Sequence, residues 1–282
     1  MSASPTAVGH SLIVTRLRQA GCVFAEDEAR LLVAAAHTGS ELAEMVDRRV
    51  AGFPLEHIVG WAEFCGLRIA VAPGVFVPRR RTELLVHEAA ALVREAQAPA
   101  RKAGARPCAV VVDLCCGSGA IGVALAAVLD GVELYAVDID PTAVRCANHN
   151  IAAIHGQTYV GDLYEPLPES LRGHIDVLVA NPPYVPTDEI ALLPPEARDH
   201  EARIALDGGA DGLDVQRRII AAAGAWLAPS GHLLVETSKR QAPQTMAAVS
   251  GAGLIAREAT SPESAATVVI GTNPAAPTHR SD

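Results

Sequence analysis

The chain is expected to fold as an α/β protein on a mostly parallel, seven-stranded sheet, with a small helical domain ahead of it. Three observations predict this. From Ala109 onward, short apolar runs bounded by turn residues alternate with segments of helical period, the pattern of a sheet covered on both faces. The chain before about Ala51 carries helical spacing instead. Between the two, Phe64 to Val77 switches to an extended pattern in which Cys65-Gly66-Leu67 and Pro73-Gly74 each read as a hairpin turn.

Taken in order, Ser11 to Ala51 reads as short amphipathic helices. Glu26 to His37 has apolar residues at helical spacing, Gly39 punctuates it, and Thr38 with Glu41 fits a capping box for the next helix. A helix is expected from Thr82 to about Gln97, followed by an Ala/Pro/Gly/Arg-rich loop from Ala98 to Pro107. Strands are expected at Ala109–Leu114, Glu133–Val137, Gln157–Val160, Val177–Ala180, Gly231–Glu236, Leu254–Glu258 and Thr267–Ile270. These elements divide the chain into a helical domain at 1–60, a β-hairpin linker at 61–80, a main domain at 81–272 and a polar tail at 273–282 that reads as disordered.

Composition narrows the function. Half of the 282 residues are hydrophobic and the formal charge is −9, which argues against a nonspecific binder of nucleic acid or anionic membrane. The six cysteines contain no C-x-x-C pair and no zinc spacing, so adjacent Cys115 and Cys116 read as small buried hydrophobes in a reducing compartment. No metal site is expected. No basic start precedes an apolar core, and no apolar run reaches membrane-spanning length. The expectation is a soluble cytoplasmic protein without a membrane or stable nucleic-acid partner.

The first expected strand of the main domain runs into Asp113-Leu114-Cys115-Cys116-Gly117-Ser118-Gly119-Ala120-Ile121-Gly122. Gly117, Gly119 and Gly122 fit G-x-G-x-x-G, and an acid, Asp138, ends the next strand about twenty residues on, where it can take both hydroxyls of a ribose. A nucleoside cofactor follows. Asp113, four residues before Gly117, would oppose a pyrophosphate but welcome an α-amino group, which favours S-adenosylmethionine over a dinucleotide. Asp162 and Leu163 follow the third strand of that domain and fall where an adenine would lie, the acid accepting from its amino group and the leucine packing on its ring.

The strand ending at Ala180 leaves the sheet through Asn181-Pro182-Pro183-Tyr184. Neither proline donates an N–H and each has φ fixed, so the turn is stiff and its carbonyls are free to accept. With the Asn181 side-chain oxygen and the flat Tyr184 ring beside them, the segment reads as a clamp for a planar –NH2 group, on an amide or on a base.

These residues resemble the class I S-adenosylmethionine-dependent methyltransferases, and more narrowly the protein-(glutamine-N5) methyltransferases that modify peptide-chain release factors. The resemblance covers about residues 52 to 270. It rests on Pro54-Leu55-Glu56-His57-Ile58-Val59-Gly60, Glu63-Phe64-Cys65-Gly66-Leu67, Pro73 to Arg79, the glycine loop, Asn181 to Val185, and Ala205 to Asp214. It implies a Rossmann-like class I fold whose helical domain helps hold a protein substrate, a release factor or another translation protein such as a ribosomal protein. It implies a cofactor site using Asp113, Cys115, Cys116, Gly117, Ser118, Gly119, Asp138, Leu163 and Asn181, and a glutamine held on Asn181, Pro182, Pro183 and Tyr184. Asn181, Pro182 and Tyr184 would be the catalytic group. The chain departs from the family where Cys115 stands for a usual Gly, where Arg80 and Arg81 replace a Pro and a Glu, and where Ala202 follows Glu201 in place of a Pro.

The rival is a methyltransferase acting on an exocyclic amino group of a base in rRNA or DNA, with Tyr184 stacking on the flipped base and Arg79 to Arg81 contacting phosphate. A cofactor-binding adaptor without activity is disfavoured by intact Asp113, Asp138 and Asn181. A hydrolase is disfavoured because Cys116 and Ala120 occupy the outer glycine positions of a nucleophile elbow.

Overall fold

The computed structural model describes residues 5–102, 104 and 108–275. The chain opens with four helices, α1 (Pro5–Gln19), α2 (Ala25–Ala35), α3 (Gly39–Val50) and α4 (Leu55–Val59). Leu17, Ala29, Leu32, Val46 and Ile58 form their shared apolar core. The Thr38 cap forms as its sequence suggests: the hydroxyl accepts from the Glu41 N–H at 3.1 Å, and the Glu41 carboxylate reaches back to the His37 N–H at 2.7 Å.

Strands β1 (Trp61–Phe64) and β2 (Leu67–Ala70) form an antiparallel hairpin. Its two-residue turn has positive φ at both Cys65 (51°) and Gly66 (73°), the mirror-image turn whose twist matches the strands. Pro73-Gly74 is a different matter. The Val75 N–H does bond the Ala72 carbonyl at 3.1 Å across it, but the chain does not fold back. Instead Gly74 pairs in parallel with Glu201, far along the sequence. A Pro-Gly pair at the centre of a turn fixes the turn locally and says nothing about a returning strand.

Helix α5 (Glu83–Lys102) is longer than its sequence suggests, running through Pro99 into the expected loop. Pro99 sits in the last turn, where its missing N–H removes only one bond near the end of the helix. The remaining elements are β3 (Ala109–Leu114), α6 (Ala120–Val128), β4 (Val132–Asp138), α7 (Pro141–Ile151), β5 (Gln157–Val160), β6 (Ile175–Ala180), α8 (Pro195–His200), α9 (Asp214–Trp226), β7 (Leu227–Glu236), α10 (Ala242–Gly251), β8 (Ile255–Ser261) and β9 (Ala266–Thr272). The tail beyond residue 275 lies outside the described residues.

The seven main strands lie in the order β5-β4-β3-β6-β7-β9-β8. Pairs from β5 to β7 are parallel, and β9 runs antiparallel to both its neighbours. Alternate residues feed opposite cores. Val111, Ala136, Val177 and Val179 pack with α5, α6 and α7, whereas Val112, Val137, Leu178 and Ala180 pack with α9 and α10. Both faces are thereby covered, which a parallel sheet requires.

Several side chains tie the hairpin to the main domain, among them Glu83, which accepts from the Cys65 N–H at 3.0 Å, and Asn150. Asn150, near the end of α7, accepts from the Ala70 N–H and donates to the carbonyls of Ala70 and Ser118, each at 2.9 Å. Asn150→Ala is expected to lower stability by about 1–3 kcal/mol through the unsatisfied backbone groups it leaves. Urea unfolding checks this, and an unchanged midpoint would show the tie to be dispensable.

Candidate functional site

One cavity of about 750 Å³ opens at the carboxyl edge of the sheet. Its floor is the loop from β3 to α6. Three residues there take left-handed backbone: Cys115 (φ 56°), Gly117 (φ 54°) and Gly119 (φ 75°). The loop is pinned from below. The Cys116 N–H bonds the Val137 carbonyl at 3.1 Å, and the Gly117 N–H bonds Asp138 Oδ2 at 2.9 Å. Above Gly117 there is open space, since a Cβ placed there would meet nothing within 4 Å. Gly119 has no such room, because its Cβ would lie 2.9 Å from Ile151 and 3.2 Å from Ala147. Its glycine serves helix packing, and its backbone does not line the cavity.

Cys115, Cys116, Gly117, Ser118, Asp138, Asp162, Leu163, Asn181, Pro182, Pro183 and Tyr184 all line the cavity. Asp113 does not. It is fully buried beneath the loop, where Oδ2 accepts from the Gly122 N–H at 3.1 Å and Oδ1 has no partner. Direct contact with a ligand's amino group, suggested by its place in the sequence, is replaced by a role in holding the first turn of α6. Burial pushes its carboxyl up to about 7, against the Gly122 N–H and with a smaller push from Asp138.

Asp138 stands at the rim. Burial also raises its carboxyl, and the N–H groups of Asp140 and Gly117 oppose that shift. Each oxygen accepts one of these bonds, at 2.9 Å, and a carboxylate oxygen has room for a second. Two vicinal hydroxyls therefore fit. With the open face over Gly117 and the apolar wall at Leu163, the residues suit a nucleoside. Asp162 is engaged by Arg218 at 2.7 Å through Oδ2, which leaves its other oxygen for an amino group.

At the opposite wall, Asn181 donates through Nδ2 to the Thr82 hydroxyl at 3.3 Å, which leaves Oδ1 as its free acceptor. Among the bonds of the described residues, none uses the Pro182 carbonyl. Tyr184 is held by its hydroxyl, which accepts from Arg81 Nη2 at 2.5 Å and lies 3.5 Å from Glu236 Oε1. Burial raises the phenol to about 12, with Glu236 adding to the shift. The exit from the turn is braced by Gln241, which donates to the carbonyls of Tyr184 and Asp211, each at 2.9 Å. The glycine-rich segment after Leu206 packs directly on it: a Cβ on Gly208 would lie 2.7 Å from the Pro183 carbonyl, and one on Gly212 2.3 Å from that of Tyr184.

The arginine triplet divides: Arg80 is exposed, while its two neighbours reach buried carboxylates. Arg79 pairs with buried Glu201 at 2.6 Å and Arg81 with buried Glu236 at 3.3 Å. Thr82, Glu236, Gln241 and Asn150 were not singled out in the sequence. Glu236 carried a usable signal, since like Asp138 it is an acid at the very end of an apolar strand. The helical domain also meets the cavity mouth. Arg49 bridges Glu28 and Glu196, each at 2.6 Å, and Phe53 stacks on His200 at 4.1 Å.

Residues 85–193 match the methyltransferase small domain family model. The chain is 41% identical over 212 residues to the release factor glutamine methyltransferase of Geobacter sulfurreducens, covering 74% of this chain and 69% of that one. It is 38% identical over 244 residues to the release factor glutamine methyltransferase of Mycolicibacterium smegmatis, covering 85% and 78%. Among solved structures, a methyltransferase from Pyrococcus furiosus shares the fold at 14% identity, with a TM-score of 0.51 over 74% of this chain and 90% of that one. No helix among the described residues is long and apolar enough to cross a membrane.

The buried Asp113 generates a pH prediction. A carboxyl whose folded value is raised from 3.8 to about 7 ionises first in the unfolded chain, so its contribution to stability falls as pH rises between those values. Asp113→Asn keeps an acceptor for Gly122 without titrating. Its melting temperature should therefore gain on the wild type from pH 5 to pH 8. Parallel pH profiles for the two proteins would refute the burial assignment.

Proposed function

This chain belongs to the release factor glutamine methyltransferases, and from that premise we propose that it transfers a methyl group from S-adenosylmethionine to the N5 amide nitrogen of a glutamine in a peptide-chain release factor. The observation that carries the reading is the orientation of Asn181. Its –NH2 end is occupied by Thr82, so an acceptor faces the cavity next to the unused carbonyl of Pro182. Two acceptors side by side match the two N–H bonds of a primary amide.

When bound, S-adenosylmethionine supplies a methyl group on a positively charged sulfur. Asp138 would hold its ribose hydroxyls, the loop from Cys115 to Ser118 would lie under it, and Asp162 with Leu163 would receive its adenine. An amide nitrogen is a poor nucleophile because its lone pair is delocalised into the carbonyl. Asn181 Oδ1 and the Pro182 carbonyl take its two N–H groups and fix the direction of that lone pair, as a near-attack distance of about 3–3.5 Å demands. As the nitrogen gains positive charge these acceptors bind it more tightly, which favours the transition state over the ground state. Tyr184, immobilised by Arg81, offers its ring to the flat face of the amide.

The helical domain and α8, joined through Arg49, form the side of the mouth against which the protein substrate would rest. The pairing of Arg79 and Arg81 with internal carboxylates weighs against the nucleic-acid reading, which needs those cations for phosphate. A release-factor substrate places the protein in the cytoplasm.

The direct test is incubation with methyl-labelled S-adenosylmethionine and a purified release factor, followed by mass-spectrometric location of the label. A labelled glutamine is expected, and label confined to rRNA would sink the proposal. Asn181→Ala is expected to raise the barrier by about 2.7–4 kcal/mol, by analogy with loss of one oriented polar group. Single-turnover kinetics near the wild-type rate would falsify the clamp.

A further inference from the structure

We propose that Thr82 is a positioning residue that fixes which end of the Asn181 amide faces the cavity. The inference rests on the clamp of the proposed function and extends it to residues outside the Asn-Pro-Pro-Tyr turn. An asparagine amide rotated by half a turn exchanges one acceptor for two donors in nearly the same volume. Shape alone therefore does not decide what Asn181 presents. Its neighbour must.

Thr82 is that neighbour, 3% exposed and 3.3 Å from Asn181 Nδ2. A hydroxyl has one proton to give and two lone pairs to offer. If the proton points at Asn181, the amide must answer with its oxygen, and its –NH2 group then faces the substrate, where it would meet another –NH2. If the proton points away, the amide answers with Nδ2, as observed.

Glu236 ends β7 and is 1% exposed. Oε1 takes Arg81 Nε at 3.3 Å, and the same arginine holds the Tyr184 hydroxyl through Nη2. Arg81 and Thr82, adjacent in the chain, thus reach the two ends of the clamp: the guanidinium meets the Tyr184 hydroxyl and the threonine hydroxyl meets the Asn181 amide.

The test is a double-mutant cycle on the full chain, with release factor and S-adenosylmethionine as substrates. Thr82→Val keeps the shape and removes the hydroxyl. It should lower kcat roughly 10–100-fold, the scale of a misplaced reacting group, with cofactor affinity by calorimetry unchanged. Thr82→Ser restores the hydroxyl and should recover kcat to within about threefold. In an Asn181→Ala background, Thr82→Val should cost nothing further, because the amide it orients is gone. Thr82→Ala, which also removes the hydroxyl, should behave as Thr82→Val does in both backgrounds and serves if the valine variant fails to fold. Wild-type kcat in Thr82→Val, or losses that multiply with that of Asn181→Ala, would overturn the positioning role while leaving the clamp intact. Wild-type kcat in Asn181→Ala would remove the clamp and this inference together.

Discussion

The parallel register of four adjacent strands is the constraint on which the site depends. Asp113 pairs with Ala136 of β4 and Val179 of β6, and Val179 pairs with Leu234 of β7. Two residues further along each strand come Cys115, Asp138, Asn181 and Glu236. Side chains alternate with period two, so Asp138, Asn181 and Glu236 emerge at one level and toward one face, the face that carries α5, α6 and α7, whereas the left-handed backbone at Cys115 turns its side chain to the core on the α9 and α10 face. Neighbouring strands stand about 4.8 Å apart. The loop after β3, Asp138, Asn181 and Glu236 are thus laid side by side by backbone pairing alone. A slip of one residue in β6 would turn Asn181 into the opposite core, and no adjustment of the turn could recover it.

That arrangement forces acids into a region of low dielectric, and the structure handles each one differently. Asp113 is raised to about 7 and holds one backbone N–H. Asp138 keeps two N–H partners and stays at the rim. Glu201 and Glu236 are each given an arginine. Exposed ion pairs such as Arg198 with Asp199 are screened by water and contribute little. Removing one partner of a buried pair typically costs about 3–5 kcal/mol. Arg79 and Arg81 therefore serve to balance interior charge. Arg81 occupies a position where the family resemblance leads one to expect a glutamate, and its partner Glu236 together with Tyr184 explains why a cation is accommodated there.

What was legible in the sequence was what depends on neighbours along the chain. All seven strands of the sheet were marked by apolar runs, the Thr38 cap by its spacing to Glu41, the hairpin turn by Cys65-Gly66, and the turn after β6 by two successive prolines. The failures share a cause. Pro73-Gly74 makes its turn, but the partner it leads to is Glu201, more than a hundred residues away. Ala98 to Lys102 remains helical because α5 is already packed along the sheet, so the breaker acts too near its end to matter. Asp113 looked like a ligand because its distance from Gly117 was right, yet the parity that places it beneath the loop is set by packing against α6. Thr82, Gln241 and Asn150 touch residues 57 to 99 positions away, beyond any local pattern.

Cys115 shows how firmly that frame acts. Left-handed backbone disfavours a side chain by about 1–2 kcal/mol, and the family resemblance puts a glycine at this position. The loop nevertheless holds Cys115 at φ 56°. The flanking bonds explain why: Cys116 is fixed to Val137, Gly119 to the Cys116 carbonyl and Gly117 to Asp138. With these three anchors in place the chain between Leu114 and Gly119 has no relaxed alternative that keeps all of them. Strain persists where surrounding contacts over-determine it. A glycine at 115 would relieve that strain without being needed to form the loop, whereas at Gly117 the open space over the backbone is itself part of the cavity and a side chain would fill it. The two positions differ because one backbone is bent by its anchors and the other must remain bare for what lies above it.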